Sequence, residues 1–180
     1  MAKFLKDNDK LKNNLAISTI MSNSALSDFL GANEISLLKS SVGDKYVLEL
    51  MREKGANFGG EQSGHIIFGD YAKTGDGILS ALQFSAAMLQ TGKKASALAT
   101  LIKPYPQILK NLKVNEKKPL EKIKGLKEFQ EKLQNEGFRT LFRYSGTENV
   151  IRLLIEGKSQ RKVEAAICEA ENFFVKALNA

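Results

Sequence analysis

Cysteine and histidine are nearly absent from the sequence, and this scarcity narrows the chemistry that the chain can perform. Cys168 is the single cysteine among 180 residues, which excludes an internal disulfide and a cysteine-based zinc site. His65 is the single histidine, so a Ser-His-Asp triad or a multi-histidine metal site would have to use that one imidazole. Because disulfide chemistry is absent, a reducing, cytoplasmic environment is the default expectation.

Long apolar segments are missing as well. No run approaches the roughly 20 residues that a membrane span needs, and the first residues lack the pattern of a secretion leader, so we expect no membrane partner and no export. Hydrophobic residues nevertheless make up 43% of the chain and charged residues 26%, which is typical of a folded globular protein. The length of 180 residues is enough for one domain or two small ones.

Positive charge is in excess, with 27 Lys and Arg against 20 Asp and Glu and a net charge of +7. The excess is concentrated between Lys103 and Lys132, a stretch with nine lysines and four glutamates. Such a stretch is typical of solvated surface, and no aromatic residues interleave with its lysines as a platform for single strands would require. We therefore expect no nucleic-acid partner, although a basic nucleic-acid-binding module stays open as an alternative. The charge suits a phosphorylated small molecule equally well.

Residues 1–10 are predicted to form a connecting helix or tail, followed by a domain over residues 11–103. In this domain short apolar runs of strand length alternate with amphipathic helices, which favours a layered α/β domain with a mixed, largely parallel sheet. Ser22 or Asn23 is predicted to cap a helix that ends at Gly31. The longest predicted helix begins at Asp76 and ends at Gly92. Its apolar stripe consists of Ile78, Leu82, Ser85 and Leu89.

Two prolines, Pro104 and Pro106, predict an extended link after which the pattern changes. Residues 107–180 are predicted to form a second domain. Its strands are expected at residues 107–114, 138–144 and 150–156, together with two amphipathic helices. The last two strands are joined by a short polar turn and must therefore be antiparallel. We expect a small α+β domain.

The segment Gly59–His65 places three glycines and four polar side chains between two apolar segments. In an extended segment residues i and i+2 point the same way, so Glu61, Ser63 and His65 are predicted to share one face. A carboxylate beside a hydroxyl and an imidazole suits two adjacent sugar hydroxyls, because each hydroxyl both donates and accepts. A polar hairpin turn whose side chains merely face water is the alternative on spacing alone.

The segment Arg143–Asn149 begins at a predicted strand end and carries a Ser-Gly-Thr turn, and the next strand returns Arg152. A phosphate binds to a planar two-pronged donor, hydroxyl donors and free backbone N–H groups, and this turn offers all three. The Gly-Lys-Ser/Thr of a P-loop is absent. An ordinary hairpin turn, with both arginines paired to surface acids, is the alternative. Lys45 follows a predicted strand end and is a weaker anion-binding candidate, since a simple helix start also explains it.

Together these segments resemble motifs of the α-D-phosphohexomutases. Gly60–His65 resembles the sugar-recognition loop of that family, and Arg143–Asn149 resembles its phosphate-binding loop. Gly43–Val47 and Thr74–Gly77 match further family segments in the same order. Gln62 between Glu61 and Ser63, together with Gly43-Asp44-Lys45, resembles the phosphoglucosamine mutase branch of the family, and the phosphomannomutase and phosphoglucomutase branches are the alternatives.

The resemblance implies an enzyme of four domains, of which this chain matches the third and the fourth. The third is an α/β layer domain, and the fourth is a small α+β domain related in fold to TATA-box-binding proteins. The phosphorylated serine and the Asp-rich Mg²⁺ loop of the family belong to its first two domains. We therefore expect this chain to hold no catalytic nucleophile and no metal, and to need the missing N-terminal domains as its partner. The implied reaction interconverts glucosamine 6-phosphate and glucosamine 1-phosphate, which supplies precursors of amino sugars and the cell wall.

The resemblance also implies a role for individual residues in binding the phosphosugar substrate. The implied sugar ligands are Glu61, Ser63, Gly64 and His65. The implied ligands of the phosphate that does not react are Arg143, Ser145, Gly146 and Thr147, with Arg152 in support. Lys45 and Asn149 are supporting candidates. A regulatory sensor of sugar phosphates, without activity of its own, is a further alternative.

Overall fold

The computed structural model describes residues 1–178. They separate into two compact units, with the division between Pro104 and Tyr105. The elements of the first unit are, in chain order, α1 (Ala2–Asp7), β1 (Leu15–Thr19), α2 (Ser24–Ala32), β2 (Ser36–Ser40), α3 (Asp44–Lys54), β3 (Phe58–Gly60), β4 (Ile66–Phe68), α4 (Gly77–Thr91) and α5 (Ala95–Ala99). Within residues 1–178 no helix combines the length and the apolar character needed to cross a bilayer.

The sheet of the first unit has the strand order β2-β1-β3-β4. Strand β1 is parallel to both of its neighbours, whereas β3 and β4 form an antiparallel hairpin in which Gly60 lies opposite Ile66. The prediction of a mixed, largely parallel sheet is therefore confirmed. All five residues of β1 are buried, because the strand is central and covered on both faces.

Helices α2 and α3 cover opposite faces of this sheet, since successive residues of β1 point in opposite directions. Ala16 lies in one core cluster with Leu30 of α2. Ile17 lies in another cluster with Val47 and Met51 of α3. The two faces of one strand thus fix the two helices whose ends frame the loops at its carboxyl edge.

The N-terminal end of helix α2 agrees with the sequence prediction, but the C-terminal end does not. Asn23 caps the helix by accepting a hydrogen bond from the Ala25 N–H at 3.1 Å. The predicted end at Gly31 is wrong, because the helix continues to Ala32 and the chain leaves it at Asn33. Gly31 is not among the residues with a positive φ, so it does not use the conformation that makes glycine a helix terminator.

Glycine at position 59 allows α3 to pack closely on β3. A Cβ atom there would lie 2.7 Å from Met51 Sδ and 2.8 Å from Val47 Cγ1, distances that side chains do not tolerate. The close packing brings the loop after β3 to the N-terminus of α3 at Gly43. This contact positions the first candidate site.

Helix α4 buries a different face from the one that the sequence indicates. The predicted apolar stripe is exposed, at 78% for Ile78, 64% for Leu82 and 85% for Leu89. The helix is held instead by Leu79, which packs against the core, and by Ala87, which is 1% exposed. A helical period reveals an apolar face, but it does not reveal which surface covers that face.

The second unit has a three-stranded antiparallel sheet with helices. Its elements are β5 (Gln107–Lys113), α6 (Leu126–Asn135), β6 (Arg139–Tyr144), β7 (Val150–Glu156) and α7 (Gln160–Leu178). The strand order is β5-β7-β6, so the strand that comes last in the sequence lies in the middle. Helices α6 and α7 share one core with the sheet, which includes Leu133, Ile151, Ile155, Val163 and Phe174. The predicted α+β class is confirmed.

Candidate functional site

The first candidate site is the loop of residues 60–65, called here the Glu61 loop, which joins β3 to β4. Its backbone closes on itself, since the Glu61 N–H donates to the His65 carbonyl at 2.9 Å and the Gly64 N–H donates to the Glu61 carbonyl at 3.1 Å. Gly64 has a φ of 101°, a conformation that side-chain-bearing residues rarely adopt. The loop is therefore a tight turn, so the extended geometry from which the shared face of Glu61, Ser63 and His65 was inferred does not apply.

The Glu61 carboxylate is the organising group of this loop. One oxygen, Oε1, accepts a hydrogen bond from the Gly43 N–H at 2.8 Å, at the N-terminus of α3. Helix N-termini favour negative charge because their N–H groups are unpaired and aligned. The other oxygen, Oε2, lies 3.3 Å from Ser63 Oγ and 3.2 Å from His65 Nδ1, a distance at which a protonated Nδ1 donates. Only 7% of the Glu61 side chain is exposed.

Gln62, Ser63, Gly64 and His65 are exposed, and 59% of the His65 side chain reaches solvent. The structure thus brings Glu61, Ser63 and His65 together, but the three side chains differ in exposure in a way that the sequence does not reveal. Both oxygens of the Glu61 carboxylate make contacts within the protein, whereas the Ser63 hydroxyl and the His65 imidazole face solvent. The arrangement can offer a ligand two oriented polar groups backed by a fixed negative charge.

Thr19 and Ser18, two polar residues of β1 that the sequence did not single out, also lie at this site. Thr19, the last residue of β1, donates from Oγ1 to Gln62 Oε1 at 3.3 Å, and Oγ1 also accepts from the Met21 N–H at 3.3 Å. Beside them the hydroxyls of Ser18 and Ser22 are bonded to each other and buried. The signal was available in principle, because the carboxyl ends of adjacent parallel strands meet at one edge of a sheet.

The start of α4 forms the other side of the Glu61 loop. Asp76 caps this helix by accepting from the Leu79 N–H at 2.9 Å, and its own N–H donates to the Ile66 carbonyl at 3.3 Å. Gly75 lies against His65, since a Cβ at that glycine would be 3.4 Å from His65 Cβ. The segment Thr74–Gly77 is therefore adjacent to the imidazole.

Lys45 lies at the beginning of α3 but is turned to solvent. Its side chain is 76% exposed, its Nζ lies 3.9 Å from Glu49 Oε1, and it is 5.9 Å from the centre of the Tyr46 ring. These contacts are those of a surface lysine. Its proximity in sequence to Gly43 keeps it a supporting candidate and no more.

A cleft of about 550 Å³ in the first unit adjoins these polar groups, and Gly60, Glu61 and Gln62 line part of it. Its walls come from α1, α2, α4 and the sheet between them, and most of the lining side chains are apolar. Ser18 and Ser22 also contribute to its lining. The exposed polar turn is a better candidate for a sugar than this apolar cleft, because hydroxyls need hydrogen-bonding partners.

The second candidate site is the turn of residues 145–149, called here the Ser145 turn, between β6 and β7. The Ser145 N–H donates to the Val150 carbonyl at 2.9 Å and closes the turn. Ser145 is 3% exposed, and its Oγ accepts from the Glu148 N–H at 3.4 Å and lies 3.5 Å from Arg152 Nη2. The remaining residues of the turn, Gly146 to Asn149, are exposed.

Arg143 and Arg152 lie directly opposite each other on β6 and β7. Like charges in such a pair destabilise a sheet, unless an anion balances them. Arg152 lies 3.6 Å from the exposed carboxylate of Glu148, and its Nε is buried without a hydrogen-bond partner. For the Arg143 guanidinium, no ion pair or hydrogen bond is found among residues 1–178. Of the two guanidinium groups, only that of Arg152 has a carboxylate partner among residues 1–178, so the charge of Arg143 is not balanced there.

Lys117 is a third cation at this turn, and the sequence gave no reason to select it. Its Nζ donates to the Ser145 carbonyl at 2.8 Å. The loop that carries it is held by the Val114 N–H, which donates to the Asn149 carbonyl at 3.0 Å. Only the sequence neighbourhood, a lysine-rich loop, hinted at a role. The bond appears because β5 and β7 are neighbours in the sheet.

The part of the chain that the structure describes contains no evident metal-binding site. Residues 1–178 contain no group of three or more histidine, cysteine, aspartate or glutamate side chains placed to hold one. Mg²⁺ prefers several oxygen ligands, usually with carboxylates among them. The donor set of these residues therefore does not fit a magnesium site.

Comparisons with known proteins agree with the two-part architecture. A sequence model of the phosphoglucomutase/phosphomannomutase alpha/beta/alpha domain III matches residues 1–105, and a model of the C-terminal domain of the same family matches residues 109–171. Among solved structures, N-acetylphosphoglucosamine mutase of Aspergillus fumigatus in complex with GlcNAc-6P and magnesium has a TM-score of 0.81. It shares 17% identity, over 96% of this chain and 44% of that one. At this identity the likeness shows the fold.

Curated relatives are much closer in sequence. The phosphoglucosamine mutase of Campylobacter curvus is 61% identical over all 180 residues, and that of Campylobacter hominis is 60% identical over 179 residues. In both cases the chain spans about 40% of the length of the relative. Because family models cover both units, the chain belongs to the phosphoglucomutase/phosphomannomutase family.

Proposed function

We propose that this chain is the sugar-binding and phosphate-binding part of a phosphoglucosamine mutase, which interconverts glucosamine 6-phosphate and glucosamine 1-phosphate. The observation that carries the proposal is the 61% identity to the Campylobacter curvus enzyme, which extends over all 180 residues and therefore over both loops. The polar geometry of each loop supports the same chemistry. A phosphosugar has hydroxyls at one end of its ring and a phosphate at the other, and the chain offers one group of residues for each.

The Glu61 loop is proposed to hold the sugar. Ser63 and His65 face solvent and present a hydroxyl and an imidazole, while Gly64 leaves room for the ring to approach the backbone. Glu61 contributes mainly by orienting these two groups through its bonds to Ser63 Oγ and His65 Nδ1. The hydrogen bond that Glu61 accepts from the Gly43 N–H fixes the position of the loop relative to α3. Lys45 is a supporting residue in this proposal.

The Ser145 turn is proposed to hold the phosphate that is not reacting. Arg143 offers a planar pair of donors that matches two phosphate oxygens, and Arg152 adds charge from the facing strand. Thr147 adds a hydroxyl, and the exposed backbone at Gly146 and Thr147 is proposed to add N–H donors. Ser145 serves the turn through its hydrogen bonds to Glu148 and Arg152.

The phosphoryl carrier and the metal are proposed to come from the rest of the polypeptide. The donor set of residues 1–178 does not fit Mg²⁺. The resemblance assigns the phosphorylated serine to a domain that this chain does not match, and Ser145 is buried in a turn. The share of this chain in catalysis is thus positioning, which supplies a large part of the rate in phosphoryl transfer.

The lysine-rich stretch fits this proposal better than a nucleic-acid interface. Several of its lysines already pair with acids, among them Lys110 with Glu171 and Lys132 with Glu169. Lys117 is drawn to the Ser145 carbonyl. We propose a phosphosugar as the ligand, no nucleic acid, and a cytoplasmic location, which suits a chain with a single cysteine.

The proposal is tested with a longer polypeptide, in which this chain is joined to the remaining part of the Campylobacter curvus relative. We expect Mg²⁺-dependent conversion of glucosamine 6-phosphate, with a kcat/KM at least tenfold above those for glucose 6-phosphate and mannose 6-phosphate. A preference for either of the latter sugars would assign the chain to the phosphoglucomutase or phosphomannomutase branch instead. Binding of phosphosugar without any turnover would favour a sensor.

A further inference from the structure

One face of α4 is exposed, apolar and free of charge. It consists of Ile78, Ala81, Leu82, Ser85 and Leu89, called here the α4 stripe. The three large side chains are between 64% and 85% exposed. Single exposed apolar residues are common on protein surfaces, but a contiguous apolar face on one helix marks an interaction site.

The whole helix lacks charge, which sets it apart from the rest of the chain. From Gly77 to Thr91 there is no aspartate, glutamate, lysine or arginine, although these residues make up 26% of the sequence. The other long helices, α3, α6 and α7, all carry several charged side chains. Charged residues are depleted in the cores of interfaces, and permanent interfaces are more apolar than transient ones. The absence of charge on α4 therefore favours a permanent partner.

The opposite face of α4 already anchors the helix, so the stripe is not needed for packing within the first unit. Leu79 packs against the core, and Ala87 is 1% exposed. The stripe also contains the small residues Ala81 and Ser85 between its large ones. Small side chains at the centre allow another element to approach the helix backbone closely.

The stripe begins beside the Glu61 loop. Ile78 follows the cap formed by Asp76, whose N–H donates to the Ile66 carbonyl, and Gly75 lies against His65. A partner that covers the stripe from its first turn therefore reaches the edge of the candidate sugar site. The location connects the apolar face with the exposed side chains of that loop.

The length of the relatives identifies the partner. The chain spans about 40% of the Campylobacter curvus relative and matches the third and the C-terminal domain of the family. A domain in the same polypeptide is present in a fixed one-to-one ratio, which is the situation of a permanent interface. We propose that the α4 stripe is the docking face for the part of the mutase polypeptide that this chain does not include, and that docking brings that part to the edge of the Glu61 loop. The proposal rests on family membership and on the relatives' length, and the identity of the sugar does not affect it.

The proposal is tested by the accessibility of position 82 to a maleimide, in the free chain and in the longer polypeptide described above. Leu82→Cys is introduced together with Cys168→Ser, because Cys168 is the single native cysteine and is exposed. Lys127→Cys in the same background is the control, since that side chain is 86% exposed on α6. We expect labelling at position 82 to be at least tenfold slower in the longer polypeptide and labelling at position 127 to change less than twofold.

Equal labelling rates at position 82 in the two proteins would overturn the proposal. Slow labelling in the free chain that speeds up on dilution would overturn it too, because the stripe would then be covered by a second copy of the chain. A second measurement compares the melting temperature of Leu82→Gln with that of Val175→Gln, whose side chain is 45% exposed on α7. We expect Leu82→Gln to lower the melting temperature of the longer polypeptide by about 3 °C or more and to leave the free chain unchanged. A loss of the same size in both would show that Leu82 packs within this chain.

These outcomes are separate from those of the proposed function. If the longer polypeptide prefers another sugar, the labelling result still decides whether the stripe is a docking face. If position 82 stays accessible while the polypeptide turns over glucosamine 6-phosphate, the docking face is refuted and the function stands.

Discussion

Replacement of Glu61 separates the structural role of this carboxylate from its role in binding. The side chain is 7% exposed and accepts from the Gly43 N–H at 2.8 Å, with Ser63 Oγ and His65 Nδ1 at its other oxygen. Glu61→Ala removes the acceptor of the partly buried Gly43 N–H, which costs about 1–3 kcal/mol for a stranded donor. Ser63 and His65 are exposed and regain water, so they add little to the loss of stability.

Glu61→Gln keeps an oxygen for the Gly43 N–H but places an amide donor beside Ser63 and His65. We therefore expect the stability loss of Glu61→Gln to be less than half that of Glu61→Ala. In a chain of this size 1 kcal/mol corresponds to about 2–4 °C in melting temperature, so Glu61→Ala is expected to melt roughly 2–12 °C below the wild type. Both variants lose the common acceptor that orients the hydroxyl and the imidazole, and we expect both to lower kcat/KM for glucosamine 6-phosphate about tenfold or more.

Stability is measured on this chain by thermal unfolding, and kcat/KM on the longer polypeptide by a coupled assay. Glu53→Gln is the matched control, because that side chain is 65% exposed and pairs only with Lys54; it is expected to change neither quantity. Wild-type kcat/KM in Glu61→Gln would refute the orienting role. An unchanged melting temperature in Glu61→Ala would refute the anchoring of the loop at Gly43.

Three further predictions concern the Ser145 turn and the chain as a whole. Arg143→Lys keeps the charge but loses the planar pair of donors, so we expect the phosphosugar affinity of the longer polypeptide to fall about tenfold to a hundredfold. Calorimetry measures this affinity, and the affinity for glucosamine itself is expected to stay the same. Equal phosphosugar affinity in the variant and the wild type would mean that the turn is an ordinary hairpin. Lys117→Met removes the hydrogen bond to the Ser145 carbonyl and one positive charge, so we expect it to weaken phosphosugar binding about tenfold. Lys118→Met, at the next exposed position, is the control and is expected to have little effect on binding. The free chain is expected to show no mutase activity in a coupled assay, because the donor set of residues 1–178 does not fit Mg²⁺ and the phosphorylated serine of the family belongs to a domain that this chain does not match. Mg²⁺-dependent turnover by the free chain would contradict this.

The fold class could be predicted from sequence because it depends on local patterns. Strand-length apolar runs that alternate with capped helices leave few arrangements other than a layered sheet, and the observed strand order agrees. The grouping of Glu61, Ser63 and His65 was also predicted, although from an extended backbone that the loop does not have. The turn between Glu61 and Gly64 brings the same side chains together by a different route.

The tertiary contacts of the two candidate sites could not be predicted, because they join residues that are far apart in the sequence. Gly43 and Glu61 are 18 positions apart, Lys117 and Ser145 are 28 apart, and Thr19 and Gln62 are 43 apart. Each contact depends on which strands are neighbours in the sheet. A propensity or a motif at one end of such a bond carries no information about the other end until the topology is known.

Helix α4 marks the point at which the sequence pattern was correct and its interpretation was incomplete. The positions of Ile78, Leu82 and Leu89 repeat with a helical period, and in an independent domain such a stripe faces the core. Here the core takes Leu79 and Ala87 instead, and the stripe stays 64–85% exposed. A helical repeat of apolar residues indicates only that one face of the helix packs against something. It does not indicate whether that face packs against the sheet of the same unit or against another part of a longer polypeptide. The stripe is uncharged and lies beside the Glu61 loop in a chain that spans 40% of its relatives' length, and on these observations we proposed a docking face.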